Sequence, residues 1–338
     1  MTFNKTTILV AGGAVAALAL VVGGGAFAWW TATKEARDRI DAFLIRSNLV
    51  NVVSYDSVSA TPFGTVKVSD LRVTVAPGAE IRIGKVKLAD LSFDGNRLES
   101  AEVEADGISI PVKELAKTRA QFMPWLRELV GLGYDNLKGS ISAEIQFDDD
   151  DKRLQISLEG EGDDAGSWSV RTSLANVSPA GMDALSALIT DPASLAGAAF
   201  RSVLGAPPAS IAEIQIGEIK GSLDNGELHA REKAIPDRAL PPDLGTPEVI
   251  EWIPEEQLVR AGMVPSAAKD TRTSVIRWMQ NGGKVTFATD IKKPVPLYKG
   301  GSRGDSDPLR ILLGQNQAEF AFPTLAAFVA ATNLKIEY

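Results

Sequence analysis

Side chains able to do chemistry are few in this chain and do not converge on a motif. There is no Cys and a single His, His229, so thiolate nucleophiles, Cys–His pairs, thiolate zinc sites, iron–sulfur ligation and disulfide frameworks are all ruled out. His229 has the right ordinary pKa for a general base, but it sits beside Leu228 and Ala230, between Glu227 and Arg231, in a stretch that reads as alternating. That pattern predicts a surface strand residue. The acidic run Asp148–Asp151 could suggest calcium, yet the D-x-[DN]-x-[DN]-G spacing with its distant Glu is missing, and a solvated hairpin tip is the expectation. Gly131-Leu132-Gly133 and Gly160-Glu161-Gly162 lack the third glycine and the strand–turn–helix setting of a dinucleotide fingerprint, and no phosphate loop is present. Arg303-Gly304-Asp305 spells an adhesion tripeptide but lies among Gly and Ser in an expected loop. Carboxylates abound, and no pair among them is singled out for acid–base work. The sequence therefore predicts no catalytic, cofactor-binding or metal-ligating residue, no cofactor, and a protein that is not an enzyme.

The elements that would position any site begin with a membrane segment. Residues 1–7 form a short tail, and from Ile8 to Trp30 the chain carries no charge, a length sufficient to cross a ~30 Å hydrocarbon core at ~1.5 Å per residue. A cleaved signal peptide is the competing reading, since Ala26-Phe27-Ala28 resembles a cleavage site, but the run exceeds a usual h-region. Trp29 and Trp30 read as interfacial aromatics. Gly12, Ala16 and Gly24 share one face of the expected transmembrane helix and would admit a close partner helix. All 43 acidic residues, and every basic residue but Lys5, follow Trp30, so the exposed part is acidic and no nucleic-acid partner is expected. Lys34, Arg37 and Arg39 against Lys5 place the bulk of the chain in the cytoplasm by positive-residue counting.

Residues 31–48 alternate in charge around Ala42, Phe43, Ile45 and Leu49 and predict a stalk helix. A body over 49–338 follows, with a subdivision expected near 206–247. Two-residue alternation recurs at Val66, Val68 and Leu71, at Ile81, Ile83, Val86 and Leu88, and at Val103, Ile108 and Ile110, punctuated by Pro62-Phe63-Gly64, Pro77-Gly78 and Asp94-Gly95-Asn96. This is the pattern of antiparallel neighbours. Residues 112–133 show helical spacing through Leu115, Phe122, Trp125, Leu126 and Leu129. Ile141–Phe147 and Leu154–Leu158 form a hairpin around the acidic run, and Trp168, Val170 and Thr172 continue the pattern. Met182–Leu204 reads as two helices split at Asp191-Pro192, Ile214–Leu228 as a hairpin turning at Asp224-Asn225-Gly226, and Pro236–Pro247 as an extended loop. Residues 248–280 read as helical, Val285–Thr289 as a strand and Pro323–Leu334 as a closing helix. The fold class expected is α+β: an N-terminal transmembrane helix, then a mostly antiparallel β-rich body with amphipathic helices.

The order of apolar run, helix and VSYDSVSATPFGTVKVSDLRV (Val53–Val73) resembles the opening of bacterial AsmA-like and YdgA-like envelope proteins. Ile141–Val177 and Thr273–Leu297 extend the resemblance. It implies a single-pass inner-membrane anchor, an external periplasmic body, and a non-enzymatic role in binding lipid or supporting envelope homeostasis through an apolar concave β surface. On orientation it opposes the Lys/Arg count. The alternative is a structural or assembly subunit of a membrane complex, docking a membrane-protein partner through Gly12, Ala16 and Gly24.

Overall fold

The computed structural model describes residues 33–46, 49–61, 64–94, 97–119, 124–182, 213–234, 255–296, 298–299, 319–320 and 325–338. They form mostly antiparallel sheet with short helices, in two compact units, one built from 33–146 and 158–167 and the other from 147–157, 168–182 and 213–338.

The first unit opens with helix α1 (Thr33–Arg46), followed by strands β1 (Val53–Ser54), β2 (Ser57–Ala60), β3 (Val66–Ala76), β4 (Ala79–Asp94) and β5 (Arg97–Ile110). Helices α2 (Val112–Arg119) and α3 (Pro124–Gly131) lead to β6 (Leu137–Asp148). Strand order is β1-β3-β4-β5-β6, with β2 also on β3. Alternation puts Val66, Val68, Leu71, Val73, Ile81, Ile83, Val86, Leu88 and Val103 on one buried face. The step lengthens to three residues at Val68 to Leu71, Ile83 to Val86 and Ala105 to Ile108. In register these three gaps line up: Ser69 faces Lys85 and Leu71 faces Ile83, while Ile83 faces Ile108 and Lys85 faces Asp106. Asp70 at φ 52° and Gly107 at φ 64°, flanking Gly84, take up the odd residue in each strand. Left-handed backbone suits Gly and is tolerated by Asp.

The apolar face is closed by α1, whose Ala36, Ile40 and Leu44 recur every four residues and are buried in the same core. The helix expected over 31–48 thus belongs to the folded body. Tyr55 ties it down, its hydroxyl donating to Asp41 Oδ1 at 2.5 Å, and the Ala60 amide donates to Thr33 Oγ1 at 3.1 Å. A smaller core gathers Ala76, Ala79, Val112, Leu115 and Leu126. The single helix expected over 112–133 is two, because Pro124 has no N–H to give to a preceding turn and instead starts α3.

In the second unit the acidic run Asp148–Asp151 turns between β6 and β7 (Arg153–Gly162), with the Asp151 amide donating to Asp148 Oδ1 and Lys152 at φ 49°. Then come β8 (Gly166–Ala175), β9 (Gln215–Asp224), α4 (Gly226–Lys233), α5 (Glu255–Arg260), α6 (Pro265–Asn281), β10 (Lys284–Thr289), β11 (Val295–Pro296), β12 (Tyr298–Lys299), β13 (Glu319–Phe320), α7 (Leu325–Ala331) and β14 (Leu334–Glu337). Strand order continues β8-β9-β10-β14, with β11 on β9, and β12 pairs β13 separately. Leu258, Met263, Ala268, Val329 and Leu334 make its core.

Several expectations are corrected. Among the described residues no helix is long and apolar enough to cross a membrane, so the fold they show is a mostly antiparallel β structure with short helices, without the expected anchor helix among them. The expected transmembrane segment 8–30, including Gly12, Ala16 and Gly24, lies outside the described residues, as do 183–212, 235–254 and 301–318. The region 206–247 is described only over 213–234. The helix expected over 248–280 is broken between α5 and α6, where Gly262 stands at φ 105° and Pro265 starts a new helix. The closing helix stops at Ala331 because Asn333, at φ 46°, turns the chain into β14, which pairs with β10.

Two outcomes test the closure of the first core. Ile40→Ala deletes a buried branched side chain and is expected to lower stability by about 2–5 kcal/mol, read by urea unfolding. The Tyr55 hydroxyl is pushed up from 10.0 to about 12, first by burial and then by its hydrogen bond to the Asp41 carboxylate. The folded state therefore holds this proton more tightly than the unfolded chain, and stability falls as pH rises from about 10 to about 12. In Tyr55→Phe that part of the alkaline slope is expected to vanish; an unchanged slope would mean the hydroxyl is not held.

Candidate functional site

Two constellations stand out, one in each unit. The first is the outward face of β3–β6. Because strand side chains alternate, the outward face carries Lys67 and Arg72 on β3, Arg82, Lys85 and Lys87 on β4, Glu102, Glu104 and Asp106 on β5, and Lys138 and Glu144 on β6, with Asp70 on β3 and Glu80 on β4 set among the cations. The β4–β5 seam pairs unlike charges, Lys87 opposite Glu104 and Lys85 opposite Asp106. Outside that seam the opposed residues are alike: Lys67 faces Lys87, Arg72 faces Arg82, and Glu102 faces Glu144. Like charges directly opposite are unfavourable, so the seam's ion pairs must offset them.

Lys87 does most of this. Its Nζ lies 3.2 Å from Glu104 and 4.0 Å from Glu102. Hydrogen bonding to Glu104 holds its ammonium pKa above the ordinary lysine value, and the same bond holds the Glu104 carboxyl below its own. The Glu102 carboxyl is raised, by partial burial first, with the neighbouring Glu104 charge adding to it. Arg72 reaches Asp56 at 3.6 Å, Arg82 reaches Glu80 at 2.8 Å, and Lys85 reaches Asp106 at 3.9 Å. At the flanks, Lys67 is exposed with no ion pair among the described residues, and Glu144 accepts only from its neighbour Gln146, at 2.7 Å. The face carries mostly cations on β3 and β4 and carboxylates on β5, with both signs on β6.

The second constellation surrounds His229. Instead of a hairpin, Asp224-Asn225-Gly226 opens helix α4, with Asn225 at its N-cap position and the Asp224 carboxylate accepting the Gly226 amide at 3.0 Å. His229 is consequently not a surface strand residue; it lies on the inner side of a helix and is 4% exposed. Its ring presses on the Gly282–Gly283 turn, where a Cβ at Gly282 would come within 2.5 Å of the His229 Cβ and 2.6 Å of its ring carbons. The turn is held by the Gly283 carbonyl, which accepts from the Trp278 indole at 3.0 Å and from the Asn225 amide at 3.2 Å. Glycine is required there: φ is 67° at Gly282 and 92° at Gly283. His229 Nδ1 stands 3.8 Å from Glu232, while His229 Nε2 and Asn225 Oδ1 are buried without a hydrogen-bond partner. The ring so enclosed wedges α4 onto the turn between α6 and β10.

Neither constellation contains a nucleophile within reach of a base. Among the described residues, no group of three or more His, Asp or Glu side chains is placed to hold a metal ion. Arg303-Gly304-Asp305 lies outside the described residues. The burial of His229 was readable in principle, because Asp-Asn-Gly before a charged, Ala- and Leu-containing octet is an N-terminal helix signal as well as a hairpin turn.

The fold and its surfaces define a β-rich, mostly antiparallel protein without a recognised catalytic arrangement in its described residues. No protein-family model and no curated protein matches the chain.

The wedge predicts a coupling. Gly282→Ala is expected to cost about 1–3 kcal/mol through ring overlap and left-handed strain. In a His229→Ala background the overlap with the ring carbons is gone while that with the Cβ remains, and the same substitution should cost less, giving a coupling of about 0.5 kcal/mol or more in a double-mutant cycle. Additive costs would show that the ring does not rest on the turn.

Proposed function

We propose that this chain is a non-enzymatic bacterial envelope protein that works at the inner membrane, with its β-rich body on the periplasmic side and binding lipid or a membrane-protein partner. One observation carries the reading. Only Thr31 and Ala32 separate the uncharged run Ile8–Trp30 from α1, and α1 is packed into the first core through Ala36, Ile40 and Leu44. A body joined this tightly to so apolar a segment is held close to whatever that segment enters, because there is no linker to let it diffuse away. The resemblance to AsmA-like and YdgA-like proteins supports the external side and the lipid class.

The second reading, a structural or assembly subunit, is favoured by the filling of the first sheet's apolar face. Val66, Val86 and Val103 are 1–2% exposed under their own helix, which leaves that unit a charged outer surface for contact. A charged surface suits protein docking better than acyl chains.

A reporter fused after Tyr338 in living cells is expected to signal an external C-terminus; a cytoplasmic signal would overturn the envelope role. Mass spectrometry of organic extracts of the purified full chain then divides the readings. Stoichiometric acyl lipid supports the lipid carrier, and its reproducible absence with native-membrane crosslinks to a protein supports the subunit.

A further inference from the structure

The large apolar side chains that the first unit leaves exposed, among its described residues, fall in one short stretch. They are Ile45, Val50 and Val52, at 67%, 54% and 36% exposure, in the last turn of α1 and the turn that follows it. There the Leu49 amide donates to the Leu44 carbonyl at 2.8 Å, and the Val52 and Val53 amides both donate to the Leu49 carbonyl, at 2.9 and 2.8 Å. This fold-back sends Leu49 and Val53 toward the first core and leaves Val50 and Val52 outside at the end of the helix, with exposed Asn51 between them. Ile45 lies on the side of α1 opposite Ala36, Ile40 and Leu44, in one stripe with Lys34, Asp38 and Ala42, all of them exposed. Arg37 is exposed beside that stripe, and Asp41 is turned to the Tyr55 hydroxyl. The outer side of α1 therefore passes from charged at its start to apolar at its end. Exposed apolar residues scattered singly need no explanation, but a cluster marks a contact surface.

We propose that the end of α1 and the Val50–Val52 turn rest on a lipid surface, with α1 lying along the bilayer. This inference rests on the membrane reading above. The occupant follows from the chain ahead of the helix, because the uncharged run Ile8–Trp30 ends two residues before Thr33. The 14 residues of α1 span about 20 Å, so the patch is within one helix length of any bilayer that the run enters. No other surface is brought so near by the chain itself. An upright α1 would hold the three side chains in water, about 20 Å from the lipid. Laid flat, α1 lets Ile45, Val50 and Val52 enter the acyl boundary while Lys34 and Arg37 reach lipid phosphates, Asp38 being the exposed carboxylate beside them. The contact adds little affinity to that of the run, and its effect is to fix which side of the first unit faces the bilayer.

The chain has no Cys, so single cysteines can carry a label without background. Full-length Ala16→Cys, Val50→Cys and Asp106→Cys, each bearing an environment-sensitive fluorophore, are placed in vesicles of phosphatidylcholine and phosphatidylglycerol with spin-labelled acyl chains, and circular dichroism verifies folding. Position 16 reports the run, position 50 the patch, and position 106 an exposed site on the outward face of the sheet. Quenching is expected at 16 and at 50, and to be ~threefold or more weaker at 106. Adding Ile45→Glu and Val52→Glu to the Val50→Cys chain should lower quenching at 50 by ~threefold or more. The same pair added to Ala16→Cys should leave position 16 as it was. Quenching at 16 without quenching at 50 overturns the inference and leaves the membrane reading standing; a crosslink from position 50 to a protein in native membranes would then give the patch to a partner. Equal quenching at 50 and 106 also overturns it, since the body would then adsorb without a preferred side. Quenching at neither 16 nor 50 overturns the membrane reading and this inference with it.

Discussion

The first unit depends on one row of three residues. Asp70, Gly84 and Gly107 interrupt the alternation of β3, β4 and β5 at matching positions, with left-handed backbone at Asp70 and Gly107. Side chains on a strand change face at every residue, so an extra residue in one strand alone would turn its remaining apolar residues to solvent. When all three shift together, register is preserved and Leu71, Val73, Ile81 and Ile83 stay on the face already occupied by Val66, Val68, Val86 and Leu88. The row also keeps Arg72 and Arg82 on the face that holds Lys67 and Lys87. Core and charged surface alike follow from this local backbone event, which requires a residue tolerant of left-handed φ in two of the three strands.

Everything packed on that sheet follows the same division. The long apolar face demands a cover, and α1 supplies one with three residues at four-residue spacing. The opposite face needs none, and its unlike charges are paired across the β4–β5 seam. The second unit solves its packing differently, with helices α5, α6 and α7 gathered around Leu258 and Val329 and a histidine ring used as a spacer against a glycine turn.

What could be read from the residues divides along the range of the interactions. The antiparallel strands from Val66 to Ile110 were legible because period-two burial is a local signal, and the three-residue steps at Val68–Leu71, Ile83–Val86 and Ala105–Ile108 were present in the same string, although only their alignment across strands gives them meaning. Helix α4 was misread because Asp224-Asn225-Gly226 serves equally as a hairpin turn and as a helix start, and the choice is made by β10, which takes the place beside β9 that a hairpin strand would have used. The C-terminal strand was hidden for a similar reason: Leu334–Glu337 is too short to declare itself and exists because β10 has an edge to offer. The wedge of His229 on Gly282 joins residues more than fifty positions apart, and no window of sequence contains both. The charges of the outward face were visible as composition, but which of them face one another was not, since the pairing needs neighbouring strands in register.

The attachment of α1 has a mechanical side. Any tension applied to the residues ahead of Thr33 enters the fold at a point where the side-chain hydroxyl holds the Ala60 amide of β2 and where the next turn is already seated in the core. There is no slack to extend first. Load is therefore shared at once between a hydrogen bond at a strand end and a row of methyl-bearing side chains that must slide across β2 and β3, and the helix resists as a shear key, with its grip spread along its length through Ala36, Ile40, Leu44 and the Asp41–Tyr55 bond. A body built in this way transmits force into its sheet instead of letting the leading segment peel away turn by turn.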